Sequence, residues 1–282
     1  MVAKKLDHEQ VLALLPDRDE NAHKGDFGKV LLLCGSEGYT GAAALAAMGA
    51  LRCGAGLVYL GVPRSIYAIE AVKLTEPIVF PLPEENGMLS SQALPKILTM
   101  LDSMDAVLIG PGLGRSEGTR AVIRTVLEEA KCPVVLDADG INGICRHMDI
   151  LRERHYPTVL TPHAGEFLRL GADATEDRQA SAQRFAREYG CVLLLKGHHT
   201  VITDGVECYV NQTGNPGMAV GGSGDVLAGM ITGLIGQGLT PLTAAACGAW
   251  LHGAAGDLCA KALGQYAMLP TDMLEVLGRL LK

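Results

Sequence analysis

Short runs of β-branched and leucine residues recur along the chain at Val30–Cys34, Leu57–Val62, Ala106–Ile109, Val134–Leu136, Thr158–Leu160 and Val192–Leu195. Runs of this length, apolar on both alternating positions, predict strands buried on both faces of a parallel sheet. Helical patterns separate most of them: an alanine-rich stretch over Thr40–Arg52, then Ser91–Leu101, Gly118–Glu129 and the amphipathic Ser181–Tyr189. Strand–helix alternation of this kind predicts an α/β layered fold. Val201–Thr203 and Glu207–Val210 flank Asp204-Gly205 and predict a hairpin, because Asp-Gly favours a tight turn. No repeat, low-complexity tract or Pro/Ser-rich linker divides the chain, so residues 1–282 are expected to form one domain.

The polar punctuation falls at the ends of the apolar runs. Gly35, Gly38 and Gly41 follow the first, Gly110-Pro111-Gly112-Leu113-Gly114 the third and Asp137-Ala138-Asp139 the fourth. Thr161-Pro162-His163 follows the fifth and Lys196-Gly197-His198-His199-Thr200 the sixth. Ligands of open parallel sheets bind beyond the carboxyl ends of the strands. Glycines acting only as turns account for any one of these segments less awkwardly than for five together, so a shared cleft is expected along that edge.

Composition narrows the class. Apolar residues make up 48% of the chain, enough for a large core, while aromatics are 4% and Gly reaches 35, which suits helices packed closely through small residues. A net charge of −7 argues against nucleic acid as a partner. The eight cysteines show no CxxC and no paired spacing with His, which argues against a zinc site. The start of the chain lacks the apolar core of a signal peptide, and with reduced cysteines a cytoplasmic protein is expected. Val226–Gly256 carries no Asp, Glu, Lys or Arg, but its glycines and Pro241 break it into pieces too short to span a bilayer. Two buried helices joined by a turn are expected there instead, with no membrane association.

The segment Asn215-Pro216-Gly217-Met218-Ala219-Val220-Gly221-Gly222-Ser223-Gly224-Asp225 leads into a helical pattern over Val226–Ile235. Glycines let successive N–H groups converge, and a helix start adds partial positive charge, so Gly221, Gly222, Ser223 and Gly224 suit a phosphate in transfer. Asp225 would then be placed to take a proton from an attacking hydroxyl. It could equally cap the helix; the preceding glycines favour the base. No GxxxxGK[ST] segment occurs, which excludes a P-loop. Gly110–Gly114 imitates part of a dinucleotide fingerprint, but Arg115 stands where the pattern continues, so a turn contacting phosphate or ribose is the better reading. His163 reads as a structural or a substrate-facing residue, and Lys196 as a cation beside phosphates, a partner of a carboxylate, or a strand-end lysine with its head in solvent. Glu166, Asp137 and Asp139 could hold polar substrate groups or magnesium-bound water, or cap the helices that follow them.

Taken in order, His23-Lys24-Gly25-Asp26-Phe27-Gly28-Lys29, Gly35-Ser36 with Tyr39-Thr40-Gly41-Ala42-Ala43, Gly110–Gly114, Thr161-Pro162-His163-Ala164-Gly165-Glu166, Leu195-Lys196-Gly197 and Gly221–Asp225 resemble the nucleotide-dependent NAD(P)H-hydrate dehydratases, a branch of the ribokinase-like superfamily. The resemblance spans about residues 20 to 260. It implies a three-layer ribokinase-like sandwich, a mostly parallel central sheet flanked by helices. It also implies an enzyme that restores NADH or NADPH from the S-epimer of the hydrated cofactor, spending ADP (or ATP) and releasing AMP and phosphate when ADP is the donor. The epimerase domain often fused ahead of this one in bacterial relatives is expected to lie outside the chain. By the same resemblance Asp225 is the base and a substrate contact, Ala42, Gly114 and His163 meet the hydrated cofactor, and Lys196, Gly197, His198, His199, Thr200 and Gly224 meet the adenine nucleotide. Magnesium is implied as counter-ion of the phosphates with no ligand assigned, and a homotetramer as the assembly. A small-molecule kinase of the same superfamily, of the hydroxymethylpyrimidine or hydroxyethylthiazole type, is the competing reading; a catalytically silent nucleotide sensor is a more distant one.

Overall fold

A computed structural model of the chain describes residues 3–173 and 177–282. The strands are β1 Lys29–Leu33, β2 Leu57–Pro63, β3 Ile78–Leu82, β4 Glu84–Glu85, β5 Met88–Leu89, β6 Ala106–Ile109, β7 Val134–Leu136, β8 Thr158–Leu160, β9 Val192–Leu195, β10 Val201–Thr203 and β11 Cys208–Val210. The helices are α1 His8–Leu14, α2 Thr40–Arg52, α3 Arg64–Lys73, α4 Leu94–Leu101, α5 Glu117–Glu129, α6 Asp139–Ile144, α7 Asp149–Glu153, α8 Ala164–Arg169, α9 Arg178–Tyr189, α10 Ser223–Gly236, α11 Pro241–Leu263 and α12 Pro270–Val276.

Nine strands form one sheet in the order β11-β10-β9-β8-β7-β6-β1-β2-β3. From β9 to β3 every neighbouring pair is parallel; β10 alone runs against the others, antiparallel to both β9 and β11. Strand order reverses between β1 and β6, which opens a crevice beyond their carboxyl ends. Alternation along β1 sends Val30 and Leu32 into the core under α2, α10 and α11, and Leu31 and Leu33 into the core under α4 to α9. α10 lies beneath α2, α11 and the sheet, so it is buried all round and needs no charged face, as the uncharged stretch predicts.

Two sequence expectations need amendment. β3 is not among the expected strands: its apolar run Ile78–Leu82 is interrupted by Pro81, which an edge strand tolerates because one side of its backbone has no partner strand. The hairpin is closed by the four residues 204–207 rather than a two-residue turn: Thr203 pairs with Cys208, and Asp204 Oδ1 accepts from the N–H groups of Val206 and Glu207. The aspartate side chain thus makes the turn that Asp-Gly was expected to make through its backbone.

Candidate active site

Five loops converge at the carboxyl edge of the sheet. α10 begins there, with Gly222 in the left-handed region (φ 96°) as its cap residue. The N–H groups of Gly221, Gly222, Gly224 and Asp225 donate to no acceptor among the described residues, and the loop is exposed to half-buried. Ser223 departs from the expectation: its N–H closes a turn on Val220 O at 3.4 Å. Its Oγ meets His252 Nε2, buried on α11, at 3.3 Å. Burial pushes the His252 pKa down to about 4, so a neutral imidazole backs the loop.

Asp225 is the third residue of α10, and its carboxylate accepts no hydrogen bond from a described residue, so it is not the helix cap. Burial, reinforced by the charge of Asp137 and opposed by Lys196, raises its pKa to about 6. A carboxylate held near neutrality and left unpaired has the properties of a proton acceptor.

Lys196 directly follows β9 and forms a part-buried ion pair. Its Nζ lies 2.7 Å from Asp137 Oδ1 and 4.0 Å from Glu166 Oε2, and a Cβ built on Gly224 would sit 3.4 Å from it. Burial works to lower the Lys196 pKa, but Asp137, Glu166 and Asp225 outweigh it and keep the ammonium charged above its ordinary range. The same Asp137 oxygen accepts from Thr161 Oγ1 at 2.7 Å. Beyond Lys196, His198 and His199 are exposed with ring centroids 3.9 Å apart, and His199 adopts φ 55°. Gly197 and Thr200 close the turn, with Gly197 N–H donating to Thr200 Oγ1 at 3.3 Å.

On the other side of Asp225, the loops after β1 and β6 interlock. Ser36 Oγ donates to Gly112 O at 2.7 Å, and a Cβ on Gly112 would meet Ala42 Cβ at 2.8 Å. Ala42 and Gly114 therefore share one wall of the crevice. Gly110 is required by a close approach, since a Cβ there would lie 1.9 Å from Asp137 O. Between Asp137 and Asp139 the chain passes through Ala138 at φ 48°, ψ −113°, a strained conformation for alanine. That twist lets Asp137 engage Lys196 while Asp139 accepts from Gly114 N–H at 3.0 Å. His163 realises the structural alternative: its Nδ1 accepts from the N–H groups of Gly165 and Glu166 at 3.0 and 3.2 Å and so caps α8. The ring is still half exposed at the mouth of the cleft.

The His23–Lys29 motif is not at this site. It precedes β1, at the opposite edge of the sheet, where Gly56 N–H donates to Phe27 O at 2.9 Å. Sequence reasoning missed His252, for which a lone histidine within the uncharged stretch was the available signal. It allowed Lys196 a carboxylate partner without identifying Asp137 as that partner. Among the described residues no cluster of three His, Cys, Asp or Glu could hold a metal, none of the eight cysteines is in a disulfide, and no helix is long and apolar enough to cross a membrane.

The family model for NAD(P)H-hydrate dehydratase matches residues 30–279. A bifunctional NAD(P)H-hydrate repair enzyme of Moorella thermoacetica is 49% identical over 275 residues, which cover 95% of this chain and 52% of the relative. The chain thus spans about half the length of such bifunctional relatives. The ADP-dependent (S)-NAD(P)H-hydrate dehydratase of Bacillus subtilis is 34% identical over 281 residues, covering 97% of this chain and 96% of that one. A crystal structure of ADP/ATP-dependent NAD(P)H-hydrate dehydratase from Bacillus subtilis, co-crystallized with ATP/Mg2+, superposes with a TM-score of 0.85 at 33% identity, covering 97% and 96% of the two chains.

Proposed function

The chain belongs to the NAD(P)H-hydrate dehydratase family, and we propose that it dehydrates the S-epimer of hydrated NADH or NADPH at the expense of ADP. The single observation that carries this reading is the unpaired Asp225 carboxylate beside the open N–H groups of residues 221, 222, 224 and 225. In the damaged cofactor a hydroxyl sits on the carbon next to the ring nitrogen. Hydroxide leaves poorly and phosphate leaves well, so the hydroxyl is first phosphorylated.

The hydroxyl oxygen attacks the terminal phosphorus of ADP as Asp225 takes its proton; the new O–P bond forms and the bridging P–O bond to AMP breaks. The open backbone donors stabilise the charge on the transferring group, and Lys196 adds a cation that Asp137 and Glu166 hold in place. The ring nitrogen lone pair then expels phosphate, and loss of a proton from the neighbouring carbon restores the double bond. The Lys196–Thr200 turn lies on the side we assign to the adenine nucleotide, and Ala42, Gly114 and His163 on the side we assign to the hydrated cofactor.

Magnesium fits as a companion of the nucleotide. Glu166, beside Lys196, would offer one carboxylate rather than a complete cage, which is how magnesium is held when phosphates supply other ligands, and Asp225 would stay free to act as base. When bound, it would neutralise phosphate charge. A homotetramer is the assembly this reading carries with it.

The test mixes the protein with hydrated NADH, magnesium and ADP and follows reduced-nicotinamide absorbance together with inorganic phosphate. Absorbance should recover and phosphate should appear. Asp225→Asn should keep nucleotide binding and lose at least ~10²-fold in turnover. Full activity in that variant, or a stable phosphorylated product in place of inorganic phosphate, would overturn the assignment, the latter in favour of a small-molecule kinase.

A further inference from the structure

Beyond the reacting groups, the crevice wall carries two arginines joined by one chain of hydrogen bonds. Asp139 Oδ2 accepts from Gly114 N–H at 3.0 Å, and its Oδ1 accepts from Arg115 Nε at 2.9 Å and Asn142 Nδ2 at 3.2 Å. Asn142 Oδ1 in turn accepts from Arg169 Nε at 2.9 Å. The chain runs from the loop after β6, across the first turns of α6, to the last turn of α8, the helix that His163 caps. Both guanidinium groups act on the same thiol: burial raises the Cys145 pKa, and Arg169 and Arg115 pull against it. Each arginine is exposed and anchored through Nε, which leaves its terminal nitrogens without a protein partner among the described residues.

We propose that Arg115 and Arg169 form a binding site for the phosphoryl oxygens of the dinucleotide substrate, foremost its pyrophosphate. This rests on the dehydratase reading. Two cations against one carboxylate leave local positive charge on a protein whose net charge is −7, and that charge offsets the repulsion a polyanionic substrate otherwise meets. A guanidinium fixed by one edge presents the other as a planar pair of donors matched to phosphate. Position separates this site from the nucleotide. The arginines flank β6, β7 and β8 beyond Gly114 and His163, whereas Lys196–Thr200 and the anion loop lie on the β9 side. A substrate with its ring at Asp225 extends its phosphates away from the transferring group, past Gly114.

The experiment compares wild type with Arg115→Gln, Arg169→Gln and the double variant, using hydrated NADH and hydrated NADPH with ADP. KM for the hydrated cofactor should rise roughly tenfold in each single variant, and the salt dependence of kcat/KM should flatten. Lysine at either position should restore part of the loss. An equal rise for both substrates identifies the pyrophosphate; a rise with hydrated NADPH alone identifies its 2′-phosphate, and either upholds a phosphate site. Unchanged KM for both, or a rise in KM for ADP instead, overturns the proposal while an active wild type leaves the dehydratase reading standing. No turnover by the wild type sinks both.

Discussion

The contact between α2 and α10 and the core under α4 to α9 are packed by different rules, and the contact that carries the anion loop is the less forgiving one. Under α4 to α9 the core is built from large side chains, with Ile123, Val126, Leu127, Phe167 and Phe185 filling it. Where α2 meets α10 the contact is made instead by backbone and small residues: Cβ atoms added at Gly49, Gly229 and Gly233 would lie 2.5, 2.0 and 2.6 Å from Val226 O, Ala46 O and Ala50 O. Side chains can change rotamer to absorb an insult, but a carbonyl in a helix cannot move without moving the helix. α10 carries at its first turn the loop and base on which the chemistry depends. Backbone contact along its length fixes where that turn sits, at a cost in tolerance to substitution.

Gly229→Ala is the strongest test of this contrast. Alanine is the better helix former, so intrinsic preference predicts a gain. The 2.0 Å approach to Ala46 O predicts instead a loss of about 4 kcal/mol or more, read as a shift in the denaturant midpoint, with turnover falling as α10 is displaced. A variant within 1 kcal/mol of wild type would mean the two helices separate freely, and the contrast would be lost. On the other face, Phe167→Ala removes a fully buried ring packed edge-on to Phe185 at 5.2 Å. It should cost about 3 kcal/mol, yet leave KM for both substrates near wild type wherever the protein is folded.

Most of this was readable from the chain because most of it is local. The strands from β6 to β9 match their apolar runs, and the Gly221–Asp225 loop is contiguous, so turn, helix start and acid could be read together. A carboxylate partner for Lys196 could be expected, but not that it is Asp137, because the two residues are 59 apart and meet only when β7, β8 and β9 lie side by side. His252 reaches Ser223 across two helices, a contact set by how α11 crosses α10 rather than by any spacing. Arg115 was visible only as an interruption of a glycine pattern; its link to Arg169 through Asp139 and Asn142 needed the strand order. Chemistry carried by one segment was legible, and chemistry assembled from several was not.

The rigidly held α10 also carries a carboxylate that folding disfavours. Asp225 has its pKa raised to about 6 from an ordinary 3.8, so the native state prefers it protonated. Stability from this group is full below about pH 3.8 and is lost as pH rises through about 6. Asp225→Asn imitates the neutral form, so at pH 8 it should be more stable than wild type by about 1–2 kcal/mol, allowing for partial exposure. The gap should close by pH 3.5. A variant less stable than wild type at pH 8 would mark Asp225 as a structural cap and weaken its assignment as base. Gain of stability with loss of turnover is the pattern expected of a residue placed for chemistry.

The smallest expected effect sharpens the contrast most. In the side-chain core Gly143 in α6 is also tight, but a Cβ there would meet Ile123 Cδ1, at 2.5 Å, rather than a carbonyl. Ile123→Val removes that atom and should cost about 1 kcal/mol on its own. In its background Gly143→Ala should become nearly neutral, since the methyl occupies the vacated space and alanine suits the helix. The double-mutant cycle should therefore give a favourable coupling of at least ~0.5 kcal/mol. No trimming of a side chain can rescue Gly229→Ala in the same way, because the clashing atom is Ala46 O and every residue at position 46 carries it. If a truncation elsewhere on α2 did rescue Gly229→Ala, the helices would be held apart by side chains after all, and the distinction between the two regions would be one of degree.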